Sequence, residues 1–99
     1  MAKVKGTTSS GYKFSVDAEV FKDWRFLKAV RKANTEGNEA FEASLDMVAI
    51  LFNDQAEEER FYDHLAAQNE DGRVPVDVVG KEVGEIMKII QEKSKAAKN

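Results

Sequence analysis

The segment over residues 39–53 constrains the fold most, because a helix formed there would be apolar around nearly its whole circumference. At about 100° per residue, its charged and amide side chains fall within an arc of about 60°; they are Glu39, Glu42, Asp46 and Asn53. The helical period predicts a core stripe formed by Phe41, Leu45, Val48, Ala49 and Phe52. A second apolar arc comprises Ala40, Ala43, Met47, Ile50 and Leu51. Such a helix is either central in the fold or turns its second arc toward a partner protein.

Composition restricts the classes of protein to which the chain can belong. A length of 99 residues allows one domain. The sequence contains no cysteine, which excludes disulfides, a thiolate nucleophile and cysteine-ligated metals. The longest apolar run, Met47 to Phe52, is far shorter than the roughly 20 residues of a membrane span, and the first residues lack a signal-peptide core. We therefore expect a domain of cytoplasmic type that is neither secreted nor embedded in a membrane.

Charge is segregated along the chain. Residues 1–35 carry eight Lys and Arg against three Asp and Glu, whereas residues 36–71 carry one against eleven. The acidic block argues against nucleic-acid binding, which requires an unopposed basic face. The segregation is compatible with neutralisation between segments of one copy, with contacts between copies, or with capture of a basic partner.

The N-terminal residues predict a β-hairpin over residues 3–16. Apolar and polar residues alternate from Tyr12 to Val16, so the side chains of Tyr12, Phe14 and Val16 share one face. A turn is expected at residues 9–11, where Gly11 can adopt a positive φ. Because two strands alone are marginally stable, this face must pack on helices.

About four helices are expected over residues 18–93. The first begins after Asp17 or Asp23. The apolar residues expected to face the core are Val20, Phe21, Trp24 and Leu27. The third spans residues 55–68 and the fourth residues 75–93, followed by a flexible basic tail over residues 94–99. The predicted fold class is α+β, mainly α: one domain with a short hairpin packed on a helical bundle, in which the second helix is central and the fourth forms an outer wall.

The residues that carry chemistry do not combine into a predicted catalytic, cofactor or metal site. His64 is the only histidine, and no serine lies in a nucleophile-elbow motif. The three consecutive glutamates at residues 57–59 fan over about 200° of a helix, so they form a solvated helix start instead of converging on a cation. Glu82 and Glu85 are expected at the surface, and Gly80 and Gly84 are expected where another backbone approaches closely. We expect a protein that is not an enzyme and uses no cofactor or metal.

Two motifs, taken in order, resemble a known family. Residues 7–17 (TTSSGYKFSVD) followed by residues 23–27 (DWRFL) are similar to the opening of the small tail assembly chaperones of long-tailed, siphovirus-type bacteriophages and prophages. Residues 69–75 (NEDGRVP), which lead into an amphipathic helix, are similar to the second signature of that family; the matching helix positions are Val83, Glu85 and Ile86. With the aliphatic second helix between them, the resemblance covers most of residues 7–93.

The resemblance implies a non-catalytic protein that is expressed from a late gene, acts in the host cytoplasm and is absent from the mature virion. Such chaperones bind the long helical tape measure protein, keep it soluble and help to recruit tail tube subunits. In many of these genes a ribosomal frameshift also yields a longer form, which here would begin at the basic C-terminal tail. Coating a long client requires several copies, so self-association is expected as well.

Eight side chains are predicted to contact the partner. On the first helix, Trp24 and Phe26 point about 200° apart, so both cannot face one side of the core, and one or the other is expected to contact the partner. On the second helix, part of the second arc would pack on apolar stripes of the client. The acidic start of the third helix would steer basic segments and keep the complex soluble. The predicted contact residues are Trp24, Phe26, Met47, Ile50, Leu51, Glu57, Glu58 and Glu59.

A small acidic adaptor or inhibitor with a single folded partner shares all of these compositional features and is the alternative. It would form a saturable complex of one copy with one partner. A structural virion protein, the third class, would be found in purified particles. An enzyme is the last alternative, because no set of nucleophile, base and oxyanion donor assembles from the sequence.

Overall fold

A computed structural model describes the backbone of residues 3–97 and the side chains of residues 3–93. Within these residues an antiparallel two-stranded hairpin precedes four α-helices, which confirms the predicted α+β, mainly α, fold class. In chain order the elements are β1 (Lys3–Thr7), β2 (Lys13–Asp17), a 3₁₀ helix (Ala18–Lys22), α1 (Trp24–Ala33), α2 (Asn38–Phe52), α3 (Gln55–Ala66) and α4 (Val76–Ala97).

The hairpin forms as its alternating pattern predicts. The register pairs Val4 with Val16 and Gly6 with Phe14. The inward-facing side chains of β2 are buried, namely Tyr12 just before the strand and Phe14 and Val16 within it. The turn is the expected one, since Gly11 has a φ of 90° and the amide of Thr8 donates to the carbonyl of Tyr12 at 2.9 Å.

The core lies where β2 meets the helices. The ring of Tyr12 packs edge-on against Phe61 of α3, with centroids 5.1 Å apart, and against Phe52 of α2 at 6.4 Å. The other buried members of this core on the helices are Phe26, Val48, Leu51, Leu65, Val83, Ile86 and Ile90. A two-stranded hairpin thus obtains the helical partner that its stability requires.

Two aspartates begin two separate helices where the sequence predicted one start at either position. The carboxylate of Asp17 accepts a hydrogen bond from the amide of Glu19 at 2.9 Å, and that of Asp23 accepts from Arg25 at 2.8 Å. Asp23 itself is extended, with φ −84° and ψ 119°, so the helical phase restarts there. The expectation that Trp24 and Leu27 face the core is therefore wrong, because it assumed one continuous helix; they are 79% and 45% exposed.

The second helix is central only over its C-terminal half. Val48 and Phe52 of the predicted core stripe are buried, whereas Phe41 and Leu45 are 60% and 66% exposed and Ala49 is exposed as well. α3 and β2, which pack on α2, meet it near its end, where Phe52 contacts the aromatic core. The N-terminal half extends beyond this cover, so the stripe is only half buried.

The fourth helix differs from the prediction in its end and in its glycines. It continues to Ala97, four residues beyond the expected end; the flexibility of residues 94–99 stays a prediction, and the last two residues lie outside the described residues. A Cβ on Gly80 or Gly84 would meet no atom within 4 Å, so the expected close backbone approach is wrong. Nowhere in residues 3–97 is a helix both long and apolar enough to cross a membrane.

Close packing occurs instead at Gly6 in β1, and alanine at this position is expected to destabilise the fold by about 1–3 kcal/mol. Its Cβ would lie 2.7 Å from Cζ of the buried Phe14 ring and 3.0 Å from Cγ2 of Ile89. The matched control is Gly84→Ala, which has open space inside a helix and should stabilise the protein by about 1 kcal/mol. Urea unfolding measures both, and a Gly6→Ala protein as stable as the wild type would contradict the close packing.

Candidate functional site

The first two α-helices form a helical hairpin. Residues 34–37 join them; Gly37 has a positive φ of 96°, whereas Asn34 has a φ of −87°. Such a short connection makes the helices antiparallel neighbours. α1 packs chiefly along α2. Ala29 of α1 and Ala43 of α2 are buried, and their small side chains allow the two helices to approach closely.

An open groove of about 510 Å³ lies between these helices. Its floor is formed by small and aliphatic side chains, namely Ala29, Ala43, Ala49 and Ile50. The wall on α1 is basic and contains Arg25, Lys28 and Lys32. The wall on α2 is acidic and contains Glu39, Glu42 and Asp46. The charge segregation of the sequence is thus converted into two facing rows of opposite sign.

The two charged walls do not neutralise each other through direct contacts. Within the part of the chain that the structure describes, the ion pairs lie elsewhere, for example between Arg60 and Glu57, and none joins the two walls. All six wall residues are exposed. A helix with an apolar stripe, an acidic flank and a basic flank would match both the floor and the walls of this groove.

The predicted apolar contact residues are only partly accessible. Trp24 projects from α1, and Met47 and Ile50 are half-buried, with Ile50 on the groove floor. Phe26 and Leu51 are buried in the core, so their proposed exposure to a partner is wrong. Phe26 is buried because the helical phase restarts at Asp23. Leu51 is buried because it belongs to the C-terminal half of α2, which is enclosed. The structure therefore does not bring the five apolar residues together on one face.

The predicted acidic contact residues also separate into different roles. The carboxylate of Glu57 accepts from the hydroxyl of Tyr12 at 2.8 Å and pairs with Arg60 at 2.7 Å, and Glu58 accepts from Tyr62 at 2.7 Å. Burial raises the pKa of both tyrosines, and their carboxylate partners raise it further. Glu57 and Glu58 thus fix the two tyrosine hydroxyls. Of the three glutamates, Glu59 alone is exposed, as expected for the solvated start of a helix.

A polar cluster joins the hairpin turn to α4, and nothing in the sequence indicated it. Glu82 is only 2% exposed and accepts from Thr8 Oγ1 at 2.6 Å and from Ser10 Oγ at 2.5 Å. Glu85 accepts from the amide and the hydroxyl of Ser9 at 3.2 and 2.8 Å. The expected surface position of Glu82 is therefore wrong. Its partners are more than 70 residues away in the chain, so helical spacing could not reveal them.

His64 completes this cluster without forming a catalytic triad. Its Nε2 lies 3.2 Å from Ser10 Oγ, 3.2 Å from the carbonyl oxygen of Ser10 and 3.1 Å from the side-chain Nε2 of Gln68. In a triad the acid orients the histidine, which then activates the serine. Here the carboxylate of Glu82 accepts from the serine directly, so the arrangement holds the turn in place.

Comparisons of the chain with protein-family models, with curated proteins and with solved structures find no match. Among the described residues, no three His, Asp or Glu side chains are placed to hold one metal ion. The α1–α2 groove and the exposed apolar side chains of the same two helices are therefore the features from which a function can be argued.

Replacing Glu82 with glutamine is expected to lower the free energy of unfolding at neutral pH by about 1–3 kcal/mol, because the hydrogen bonds that Glu82 accepts from two hydroxyls lose their charge assistance. Burial raises the pKa of Glu82, but the hydrogen bonds from Ser10 and Thr8 outweigh it and hold the pKa below the ordinary value of 4.5. The stabilisation is therefore complete above that value and is lost as the pH falls through the folded pKa.

Urea unfolding at several pH values measures this effect, with Glu92→Gln on the exposed side of α4 as the matched control. The difference between the wild type and Glu82→Gln should narrow as the pH falls from about 5 to about 3. A difference that is independent of pH would mean that the charge of Glu82 contributes nothing.

Proposed function

We propose that this protein is a non-catalytic tail assembly chaperone of a long-tailed bacteriophage, which binds the tape measure protein and keeps it soluble during tail assembly. The order of the motifs in residues 7–27 and 69–75 supports this proposal. The structural observation that carries it is the groove between α1 and α2, which has an apolar floor and two charged walls without ion pairs between them.

The groove supports a helix-in-groove mode of binding. Tape measure proteins expose long apolar helical stripes that would aggregate before the tail polymerises. Side chains of such a stripe, three or four residues apart, would pack on Ala49 and Ile50 in the floor. Acidic residues on one flank of the client helix would face Lys28 and Lys32, and basic residues on the other flank would face the wall on α2. Burial of the stripe then removes the surface that drives aggregation.

The setting that follows from this proposal is the host cytoplasm, with the chaperone released before the virion is complete. Several copies would coat one client, self-associate, and assist the recruitment of tail tube subunits. A longer, frameshifted form would extend from the C-terminal end of α4. Each of these statements rests on the family resemblance, whereas the groove supports the binding of the client helix.

The test is co-expression with the tape measure protein encoded in the same phage genome, followed by affinity capture and native mass spectrometry. We expect a soluble complex with several copies of the chaperone on each client. The double variant Lys28→Glu and Lys32→Glu reverses the basic wall and should leave most of the client insoluble. Lys81→Glu with Lys88→Glu, on the exposed side of α4, makes the same change in charge away from the groove and should preserve the complex.

Three results would contradict the proposal. An insoluble client with no capture would exclude the chaperone activity. A complex that tolerates the reversed wall as well as the control would show that the groove is not the client site. A saturable complex of one copy with a single folded partner would favour the adaptor or inhibitor class instead.

A further inference from the structure

Outside the groove, α1 and α2 expose large apolar side chains that the described part of the chain leaves uncovered. Trp24 and Leu27 project from α1, and Phe41 and Leu45 project from α2. None of the four lines the groove between the helices. Single exposed apolar residues are ordinary, but aromatic and aliphatic pairs one helical turn apart are typical of interaction surfaces. We call the pair on α1 the tryptophan face and the pair on α2 the phenylalanine face.

Within each helix, the charged side chains beside the exposed face have one sign. At about 100° per residue, Arg31 lies between Leu27 and Trp24 on the helix surface, and Lys28 lies about 40° beyond Trp24. Glu42 lies about 60° from Leu45. Arg31, Lys28 and Glu42 are all exposed. α1 contains no Asp or Glu and α2 contains no Lys or Arg, so the sign is uniform along each helix.

We propose that the protein self-associates head to tail, with the tryptophan face of one copy packed on the phenylalanine face of the next. The proposal deepens the self-association that the proposed function includes, and it concerns the chain without its client. The opposite charges bordering the two faces meet in this contact. Pairing two tryptophan faces, or two phenylalanine faces, would instead bring like charges together.

The two faces of one copy cannot pack on each other, because its α1 and α2 already contact through the sides that carry Ala29 and Ala43. The contact is therefore heterologous: each copy offers one face of each kind, and association continues until a ring closes or a chain extends. Four apolar side chains form a small interface, so we expect weak association, in the range of about 10 µM to 1 mM. Weak contacts of this kind suit copies that assemble side by side along an extended client.

The first experiment follows the purified wild-type chain by sedimentation velocity and by tryptophan fluorescence over a concentration series. Trp24 is the only tryptophan in the sequence and is largely exposed in one copy. We expect the sedimentation coefficient to rise with concentration while the emission shifts to shorter wavelength, because the indole leaves water. Raising the salt concentration should weaken both changes, since the bordering charges become screened. A chain that stays monomeric up to about 1 mM overturns the proposal.

The second experiment tests the polarity of the contact with two variants. Trp24→Ala removes the tryptophan face, and the double variant Phe41→Ser with Leu45→Ser removes the phenylalanine face. Each variant alone should be monomeric, whereas an equimolar mixture should form a dimer of one chain of each kind, because one intact face of each type remains. Only the serine variant contains tryptophan, so its emission reports directly on the docking of its Trp24 against the partner chain.

The outcomes separate this inference from other arrangements. Self-association that persists in either variant alone overturns it, because a contact between identical faces would then suffice. A mixture that stays monomeric while the wild type associates also overturns it. Circular dichroism and thermal unfolding of both variants check the fold, which should be retained because the altered side chains are exposed. Failure to capture the tape measure protein, with normal self-association, would contradict the proposed function alone.

Discussion

The packing of Tyr12 against the helices is the interaction on which the rest of this structure depends. Its ring lies against Phe52 of α2 and Phe61 of α3, and its hydroxyl donates to Glu57. A two-stranded hairpin is marginal on its own, and each helix has only one buried side, so neither part is stable without the other. Hydrogen bonds from the turn of the β-hairpin to Glu82 hold α4 against the same core. The turn hydroxyls offset the free-energy cost of burying this carboxylate.

Local patterns of the sequence were sufficient to predict the elements, but they could not predict which faces are buried. Strand alternation places Tyr12 and Phe14 correctly, and α3 begins at Gln55, as predicted, with Asp54 as its N-cap. Asp17 and Asp23 each signalled a helix start; the error was to treat them as alternative starts of one helix, because using both restarts the helical phase and turns Trp24 outward. The burial of Glu82 depends on side chains from the other end of the chain, and the periodicity of a single helix carries no information about such contacts.

The segregated charge of the sequence serves two different purposes in the fold. At the start of α3, Glu57 and Glu58 are used within the fold, since they accept hydrogen bonds from the hydroxyls of the buried Tyr12 and the half-buried Tyr62. On α1 and α2 the charges remain exposed and face each other across the groove without pairing. Opposite charges without a direct ion pair leave both walls able to bind a partner that carries both signs. Among the described residues, neutralisation within one copy therefore involves no direct ion pair between the walls, and all three interpretations that the sequence allowed stay open.

The exposed apolar faces are an argument for function because leaving them in water lowers the stability of so small a protein. A domain of this length buries only about two thirds of the surface of its unfolded chain. Each apolar side chain left in water therefore removes stabilising burial from a fold that is only marginally stable. The C-terminal half of α2 shows that the same stripe can be buried, since Val48 and Phe52 are enclosed. The N-terminal half carries Phe41 and Leu45, which are 60% and 66% exposed, on a helix that packs chiefly on α1. The core around Tyr12 thus encloses the C-terminal half of α2 through Phe52, and the exposed N-terminal half is the part of this helix that a partner can cover.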